Sequence, residues 1–318
     1  MTVKSKNKQT KNKKISPPFG YFGSKNRIAL ELCNALPPHN CWVEVFCGSA
    51  ALTLRKNPAP IEIINDIDKN IINLFEQLRD NHWELCNKIE LTPYAEDELR
   101  NARIKKNKLS DLERARRFLV QSMMAINGIF GEERGGFSYS DSYSRNGHDA
   151  RVNRWKNLPE RLKLVVERLR NVRIENKDAK KLMLRYIYRP ATLLYLDPPY
   201  FAERTNGYNK DANDEQFHIE ILNLAEKARC MVFISSYENE LYNRLLTEKK
   251  GWGKKIIETS TKDSKGQSHV RTEVIWMNKF FQKAIESNEV PIKLTPREIK
   301  ENKLNPERKP EKQVPIIS

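Results

Sequence analysis

Short apolar runs that end in turn-forming or acidic residues alternate with helix-spaced segments along most of this chain. Few folds accommodate that rhythm. Residues 42–46 are an apolar run closed by a glycine turn, and a helix is expected to start near Ala50. Residues 61–65 are β-branched and end in acids, and 70–79 follow with helical spacing. The runs 193–196, 231–234 and 274–277 read as further strands, with helical stretches between them. This pattern predicts an α/β fold on a doubly wound, mainly parallel sheet.

One block breaks the rhythm. Between about 90 and 171 the spacing is helical at 97–105, 111–126 and Leu158–Leu169, with a Gly- and Ser-rich stretch at 127–146. A long insertion inside a sheet domain usually carries function. Residues 90–171 are therefore expected to form an inserted, mostly helical domain, and 16–89 with 172–282 the sheet domain. Residues 1–15 are a Lys/Asn/Gln tail, and 283–318 hold five prolines and alternating charges. Both are expected to be disordered.

The net charge of +16 is unevenly placed. Residues 1–14 carry six lysines and no acid, and 100–173 carry 18 Lys and Arg against 8 Asp and Glu. Such concentration suggests a surface that binds phosphates, with solvated basic helix faces as the alternative. No run approaches the ~20 apolar residues that span a bilayer. No apolar signal core follows the basic N-terminus, so a cytoplasmic location is expected. The five cysteines lack CxxC spacing and are expected to be buried thiols. The five histidines show no ligand spacing, so no metal is expected.

Val43-Glu44-Val45-Phe46-Cys47-Gly48-Ser49-Ala50 lies at a strand-to-helix turn. Small residues there let the backbone approach a ligand and leave helix N–H groups free. Eighteen residues after Gly48, Asp66 ends the next strand. An acid at that tip can accept hydrogen bonds from ribose hydroxyls; a helix cap is the alternative. The turn is neither GxGxxG nor a GKT-type phosphate loop, which argues against NAD and ATP.

The most specific feature is Leu193-Leu194-Tyr195-Leu196-Asp197-Pro198-Pro199-Tyr200. Proline cannot donate to a ladder, so the strand must stop. The two prolines stiffen the backbone and leave carbonyls without competing N–H groups. A carboxylate at Asp197 beside the Pro198 carbonyl makes two acceptors, which match the two donors of an exocyclic amine. The Tyr200 ring offers a stacking face for a base.

These segments resemble the Dam-type, α-group, D12 class adenine-N6 DNA methyltransferases, including prophage-encoded members. Pro18-Phe19-Gly20-Tyr21-Phe22-Gly23-Ser24-Lys25 resembles the family's N-terminal cofactor motif. Residues 43–52 resemble its glycine turn, 63–78 its ribose-binding strand and helix, and 193–200 its catalytic motif. Weaker similarity runs through 151–178, 234–246 and 271–278, so the resemblance covers about 17–280. It implies a Rossmann-like methyltransferase sheet with an inserted DNA-recognition domain. The implied reaction is methyl transfer from S-adenosyl-L-methionine to N6 of an adenine flipped out of duplex DNA. Tyr21, Lys25, Phe46, Gly48, Asp66, Asp178 and Asp197 would then line the cofactor, with Tyr21 and Lys25 at its methionyl end. Asp197, Pro198 and Tyr200 would be catalytic. The family's turn is often FxGxG, whereas Ala50 fills the last position here, and alanine resists positive φ.

Residues 131–138 resemble the hairpin with which these enzymes contact bases. Arg134 is the base-edge candidate, with a phosphate contact or exposed turn as the alternative. Arg145, Arg151 and Arg154 read as phosphate contacts. Lys262, Lys265 and Arg271 lie in a stretch, 261–271, expected to be a mobile loop that clamps the DNA backbone. The sequence leaves open N4-cytosine or RNA methylation, a DNA-binding protein without catalysis, and whether a cognate restriction endonuclease accompanies the chain.

Overall fold

The five apolar runs become five strands of one seven-stranded sheet in the computed structural model. The structure describes residues 15–20, 24–106, 108–126, 128, 135–139, 144–145, 147–200, 215–262 and 268–291. In chain order the strands are β1 (Cys41–Glu44), β2 (Ile61–Asn65), β3 (Ser144–Arg145), β4 (His148–Asp149), β5 (Val172–Glu175), β6 (Thr192–Leu196), β7 (Met231–Tyr237), β8 (Gly253–Lys262) and β9 (Ser268–Met277). The helices are α1 (Ala29–Asn34), α2 (Ala51–Arg55), α3 (Lys69–Asp80), α4 (His82–Glu90), α5 (Glu96–Arg103), α6 (Asp111–Met124), α7 (Ala150–Lys156), α8 (Leu158–Leu169), α9 (Ala179–Tyr186), α10 (Glu215–Lys227), α11 (Glu240–Leu245) and α12 (Lys279–Ser287).

The sheet order is β5-β2-β1-β6-β7-β9-β8. The first five strands are parallel, and β9 runs antiparallel between β7 and β8. Both faces are covered, so the central strands are buried along their length, as parallel strands must be. The two-residue period divides them. Trp42, Leu193, Tyr195 and Phe233 pack on one side with α1 and α12. Val43, Leu194, Leu196 and Val232 pack on the other with α9, α10 and α11. From β1 the strand order runs one way through β2 and β5, and the other way through β6 and β7. That reversal makes the carboxyl ends of β1 and β6 the place where such sheets bind ligands.

Helices α5, α6 and α8 of the 90–171 block bury Leu99, Leu119 and Leu162 in one apolar cluster with α3, α4 and the Cys47–Ala50 turn. The block thus rests on the sheet's own flanking core, and residues Ile15–Pro291 form one compact unit. Residues 283–287, expected in a disordered tail, instead complete α12, because Phe281 and Ala284 lie one turn apart and are both buried. The expected loop at 261–271 also differs. Thr261 and Lys262 are strand residues of β8, and Arg271 pairs with Thr259 across the β8–β9 ladder. Among the described residues no helix is long and apolar enough to cross a membrane.

Candidate active site

The carboxyl ends of the parallel strands bring together side chains from distant parts of the sequence. β1 leads into a turn with Gly48 at φ 46° and Ala50 at φ 54°, ψ 38°. Ala50 therefore takes the left-handed conformation that a glycine would take freely, at a cost of roughly 1–2 kcal/mol. The turn keeps its shape despite the Cβ. Its ends are tied by Cys47 N–H to the Asn65 carbonyl (2.8 Å) and by Leu54 N–H to the Ala50 carbonyl (3.0 Å). Ser49 is joined to Ser24 by a 2.9 Å hydroxyl hydrogen bond.

Asp66, at the tip of β2, is buried. Gly48 N–H donates to its Oδ2 at 2.9 Å, and Asp68 N–H to its Oδ1 at 2.9 Å. Burial pushes the Asp66 carboxyl up to about 6, against the hydrogen bonds from Asp68 and Gly48. The cap of α3 is Asp68 rather than Asp66, since Asp68 accepts from Asn70 N–H. Asn65 and Asn176 stitch the neighbouring exits together. Asn65 accepts from Lys177 N–H at 2.8 Å, and Asn176 donates to the Asp66 carbonyl at 2.7 Å. Asp178 caps α9 by accepting from Lys181 N–H at 3.1 Å. Phe46 is half-buried, its ring 6.2 Å from that of Phe217.

At the exit of β6, Asp197 Oδ1 accepts from Lys25 Nζ at 2.7 Å and from Ser235 Oγ at 3.2 Å. Lys25 Nζ also donates to the Tyr200 hydroxyl at 2.6 Å and lies 3.3 Å from Glu273 Oε1. Tyr200 is buried, and its ring stacks on Tyr237 with centroids 4.0 Å apart and planes 12° apart. Burial raises the Asp197 carboxyl above its ordinary value, and Lys25 opposes that rise. Pro198 is buried beside it.

The structure thus gathers Lys25, Asp197, Pro198 and Tyr200 at one place, and Gly48 and Asp66 at the adjoining turn. Lys25, expected from the resemblance at the cofactor's methionyl end, has its ammonium on Asp197 and Tyr200. Ser235, Tyr237 and Glu273 carried no functional expectation. Their signal is polarity at buried strand positions: Ser235 is 0% exposed and Glu273 4%. Glu44, inside the turn motif, accepts from the Thr53 hydroxyl and from Thr53 N–H at 3.1 Å, and burial pushes its carboxyl up to about 8.

The phosphate candidates Arg151 and Arg154 are exposed on α7. Desolvation and the neighbouring Arg151 lower Arg154, and burial and Arg154 lower Arg161, a third member that the sequence reading missed. Arg161 donates to the Pro17 carbonyl at 2.9 Å. Arg145 lies on β3, paired with His148 of β4. Lys262 pairs with Ser268 at the end of the β8–β9 ladder. Tyr21, Arg134 and Lys265 lie outside the described residues. Among the described residues no group of three or more His, Cys, Asp or Glu side chains is arranged to hold a metal ion.

Fold and site together define an α/β protein whose carboxyl edge sets a glycine turn and the buried acid Asp66 next to a half-buried carboxylate, Asp197, paired with Lys25. The family model for D12 class N6 adenine-specific DNA methyltransferases matches residues 21–289. The chain belongs to this family, and S-adenosylmethionine-dependent methylation of adenine N6 in DNA is the activity that membership assigns. It is 27% identical over 210 residues to the type II methyltransferase M1.LlaDCHI of Lactococcus lactis subsp. cremoris, a match spanning 60% of this chain and 68% of that one. Similar solved structures include a putative RNA methyltransferase from Pyrococcus horikoshii, with TM-score 0.37, 8% identity, and 81% of this chain and 84% of that one covered. A putative rRNA methylase from Clostridium thermocellum gives TM-score 0.34 and 10% identity, with 79% and 94% covered.

The residues present fit the methyl donor. The turn at Gly48–Ala50 has the left-handed geometry of a ligand-cradling loop. The Asp66 oxygens accept backbone N–H groups of Gly48 and Asp68, with Ile67 also contributing, which leaves lone pairs for ribose hydroxyls. Asp66→Ala is expected to weaken S-adenosylmethionine binding by about 1.5–3 kcal/mol, the scale of hydrogen bonds to a charged acceptor. Because ionised Asp66 is the better acceptor, affinity should also fall as pH drops through about 6. Asp66→Asn should bind more weakly without that pH dependence. Calorimetry that finds wild-type affinity in both variants removes Asp66 from the cofactor site.

Proposed function

We propose that this enzyme methylates adenine at a specific duplex sequence, with the target base flipped into the pocket in front of Asp197. The observation that carries the reading is the half-buried carboxylate of Asp197, held by Lys25 and Ser235 and set beside the Asp66 turn at the reversal point of the sheet. Flipping costs a few kcal/mol of lost pairing and stacking, and the Tyr200 ring supplies a new stacking surface. With Lys25 and Ser235 both on Oδ1, Oδ2 of Asp197 and the Pro198 carbonyl are assigned to the two N–H groups of the amine. Both acceptors draw density toward the nitrogen and fix its lone pair toward the cofactor turn.

S-adenosylmethionine supplies a methyl group on a sulfonium centre. The nitrogen lone pair forms the new N–C bond, the C–S pair returns to sulfur, and one amine proton is released. Asp197 is placed to receive that proton, and burial favours its protonated form. Positioning and fixed charge supply most of the acceleration in such a site. Phe46, Gly48, Asp66, Asp178 and Asp197 are assigned to the cofactor, together with Tyr21 and Lys25.

The 90–171 block and the 261–271 stretch are assigned to DNA, with Arg134 reading a base edge and Arg145, Arg151, Arg154, Lys262, Lys265 and Arg271 on phosphates. The mutual repulsion among Arg151, Arg154 and Arg161 supports this reading, because an anionic partner would relieve it. The role of a type II methyltransferase, as the Lactococcus relative is named, fits the same chemistry with or without a cognate endonuclease. Incubating protein, S-adenosylmethionine and duplex DNA should yield N6-methyladenine by nucleoside mass spectrometry. A product containing only N4-methylcytosine overturns the assignment of the pocket.

A further inference from the structure

Behind Asp197 lies a second carboxylate that the methyl-transfer scheme does not use. Glu273 sits on β9, opposite Tyr237 of β7 and Ile257 of β8, and is 4% exposed. Its Oε1 is 3.3 Å from Lys25 Nζ, and its Oε2 accepts from the Tyr200 hydroxyl at 3.5 Å. Lys25 Nζ is at the same time 2.7 Å from Asp197 Oδ1 and 2.6 Å from the Tyr200 hydroxyl. One buried ammonium is therefore shared by two carboxylates and a phenol. A second buried carboxylate is costly to a fold, and Asp197 alone would neutralise Lys25.

We propose that Glu273 is a positioning residue for methyl transfer: it shares the Lys25 ammonium with Asp197 and anchors the Tyr200 hydroxyl, so that Lys25 does not close onto Asp197 alone and Asp197 keeps its strength as an acceptor for the target amine. The inference rests on the reading of Asp197 and Tyr200 as the amine-binding pair. Without Glu273, Lys25 faces a single carboxylate. The two close into a neutral pair, and the amine meets a weakened acceptor. With Glu273, the cluster keeps a net negative charge, and Lys25 is held between Asp197, the Tyr200 hydroxyl and β9.

The groups that face this carboxylate are Lys25 from the segment before α1, Asp197 and Tyr200 from the β6 exit, Tyr195 from β6 and Tyr237 from β7. Glu44 of β1 adds its field at Tyr195. Burial pushes Glu273 up to about 7; Lys25 lowers it, and Asp197 raises it. Below that pH Glu273 is neutral and Lys25 pairs with Asp197 alone. Above it the negative charge is restored, so the transfer rate rises with pH through about 7.

The test is single-turnover methylation at saturating DNA and S-adenosylmethionine from about pH 6 to about 9, bracketing an acid that titrates near neutrality. It compares wild type, Glu273→Gln, Glu273→Asp and Asp197→Ala, with cofactor affinity, DNA affinity and thermal unfolding measured alongside. Glu273→Gln should slow transfer at least about tenfold, the scale of one charge-assisted hydrogen bond, with both affinities within about twofold. It should also lose the rise through neutral pH, and Glu273→Asp should restore part of the rate and the rise. A Glu273→Gln enzyme with wild-type rate and pH profile overturns the proposal. So do Gln and Asp variants that are equally slow and equally destabilised, since that pattern marks a structural role. Should Glu273→Gln fail to fold, a flat wild-type profile has the same force. An inactive Asp197→Ala beside a normal Glu273→Gln removes this inference alone, whereas an active Asp197→Ala removes the underlying reading with it.

Discussion

Asp197→Ala is expected to cut single-turnover methyl transfer by about 10³-fold or more, while affinity for DNA stays within a few-fold. The magnitude follows from losing a preorganised charge aimed at the reacting centre. In the structure that carboxylate accepts from Lys25 and Ser235. Removing it deletes the acceptor for the amine and also leaves the Lys25 ammonium to swing onto Glu273. The nitrogen then keeps its lone pair conjugated with the ring and has nothing to orient it. DNA binding should survive, because the basic surface of α7 is separate from the β6 exit. Rapid-quench methylation with filter-binding affinities checks both halves. Near-normal transfer would show that the pocket before Asp197 is not where the amine reacts, and a matching collapse of DNA affinity would make Asp197 a folding residue.

Much of the sheet was legible because its strands are buried on both faces and so are continuously apolar. β2 and α8 fall where the sequence puts them, at Ile61–Asn65 and Leu158–Leu169. β8 was not legible. Its Lys254, Lys255 and Glu258 face solvent at the sheet edge, so its sequence carries no apolar run. β5 is equally weak, with Arg173 exposed between Val172 and Ile174. The site was legible where one motif holds all its parts, as in Asp197–Tyr200. It was illegible where a part arrives by topology. Lys25 was named from its motif, but its pairing with Asp197, 172 residues on, was not, and Glu273 reaches the same place from an antiparallel strand. The buried polar positions on β7 and β9 offered the only local signal, and a serine or glutamate within a strand says that a partner exists without saying which. Ala50 shows the converse case. Its departure from the family's glycine is plain in the sequence, yet the backbone holds the glycine geometry because the turn is pinned on both sides.

Glu62→Ala is expected to destabilise the protein by about 3–5 kcal/mol, the loss that follows when one partner of a buried ionic group is removed. Glu62 sits on β2 with its side chain 1% exposed, and its Oε1 accepts from Lys56 Nζ at 2.6 Å and Arg168 Nη2 at 2.8 Å. Ala59 N–H donates to the same oxygen at 3.1 Å. Lys56 and Arg168 are themselves buried, so truncation strands two cations away from water. Burial works to raise the Glu62 carboxyl, yet the Arg168 hydrogen bonds and the Lys56 charge outweigh it and hold the group below its ordinary value. A depressed folded value means that this contribution is present above the unfolded carboxyl range and is lost as pH falls through the folded value. Wild type should therefore lose stability on the acid side more steeply than Glu62→Gln, which keeps the shape without the charge. Arg168 lies in the last turn of α8, so the cluster also ties the basic block to the sheet. Denaturant unfolding of the three proteins at neutral and acid pH makes the comparison. If Glu62→Ala unfolds at the wild-type denaturant concentration, water must reach Lys56 and Arg168 once the carboxylate is gone, and the cluster then fixes the seating of α8 without adding to stability.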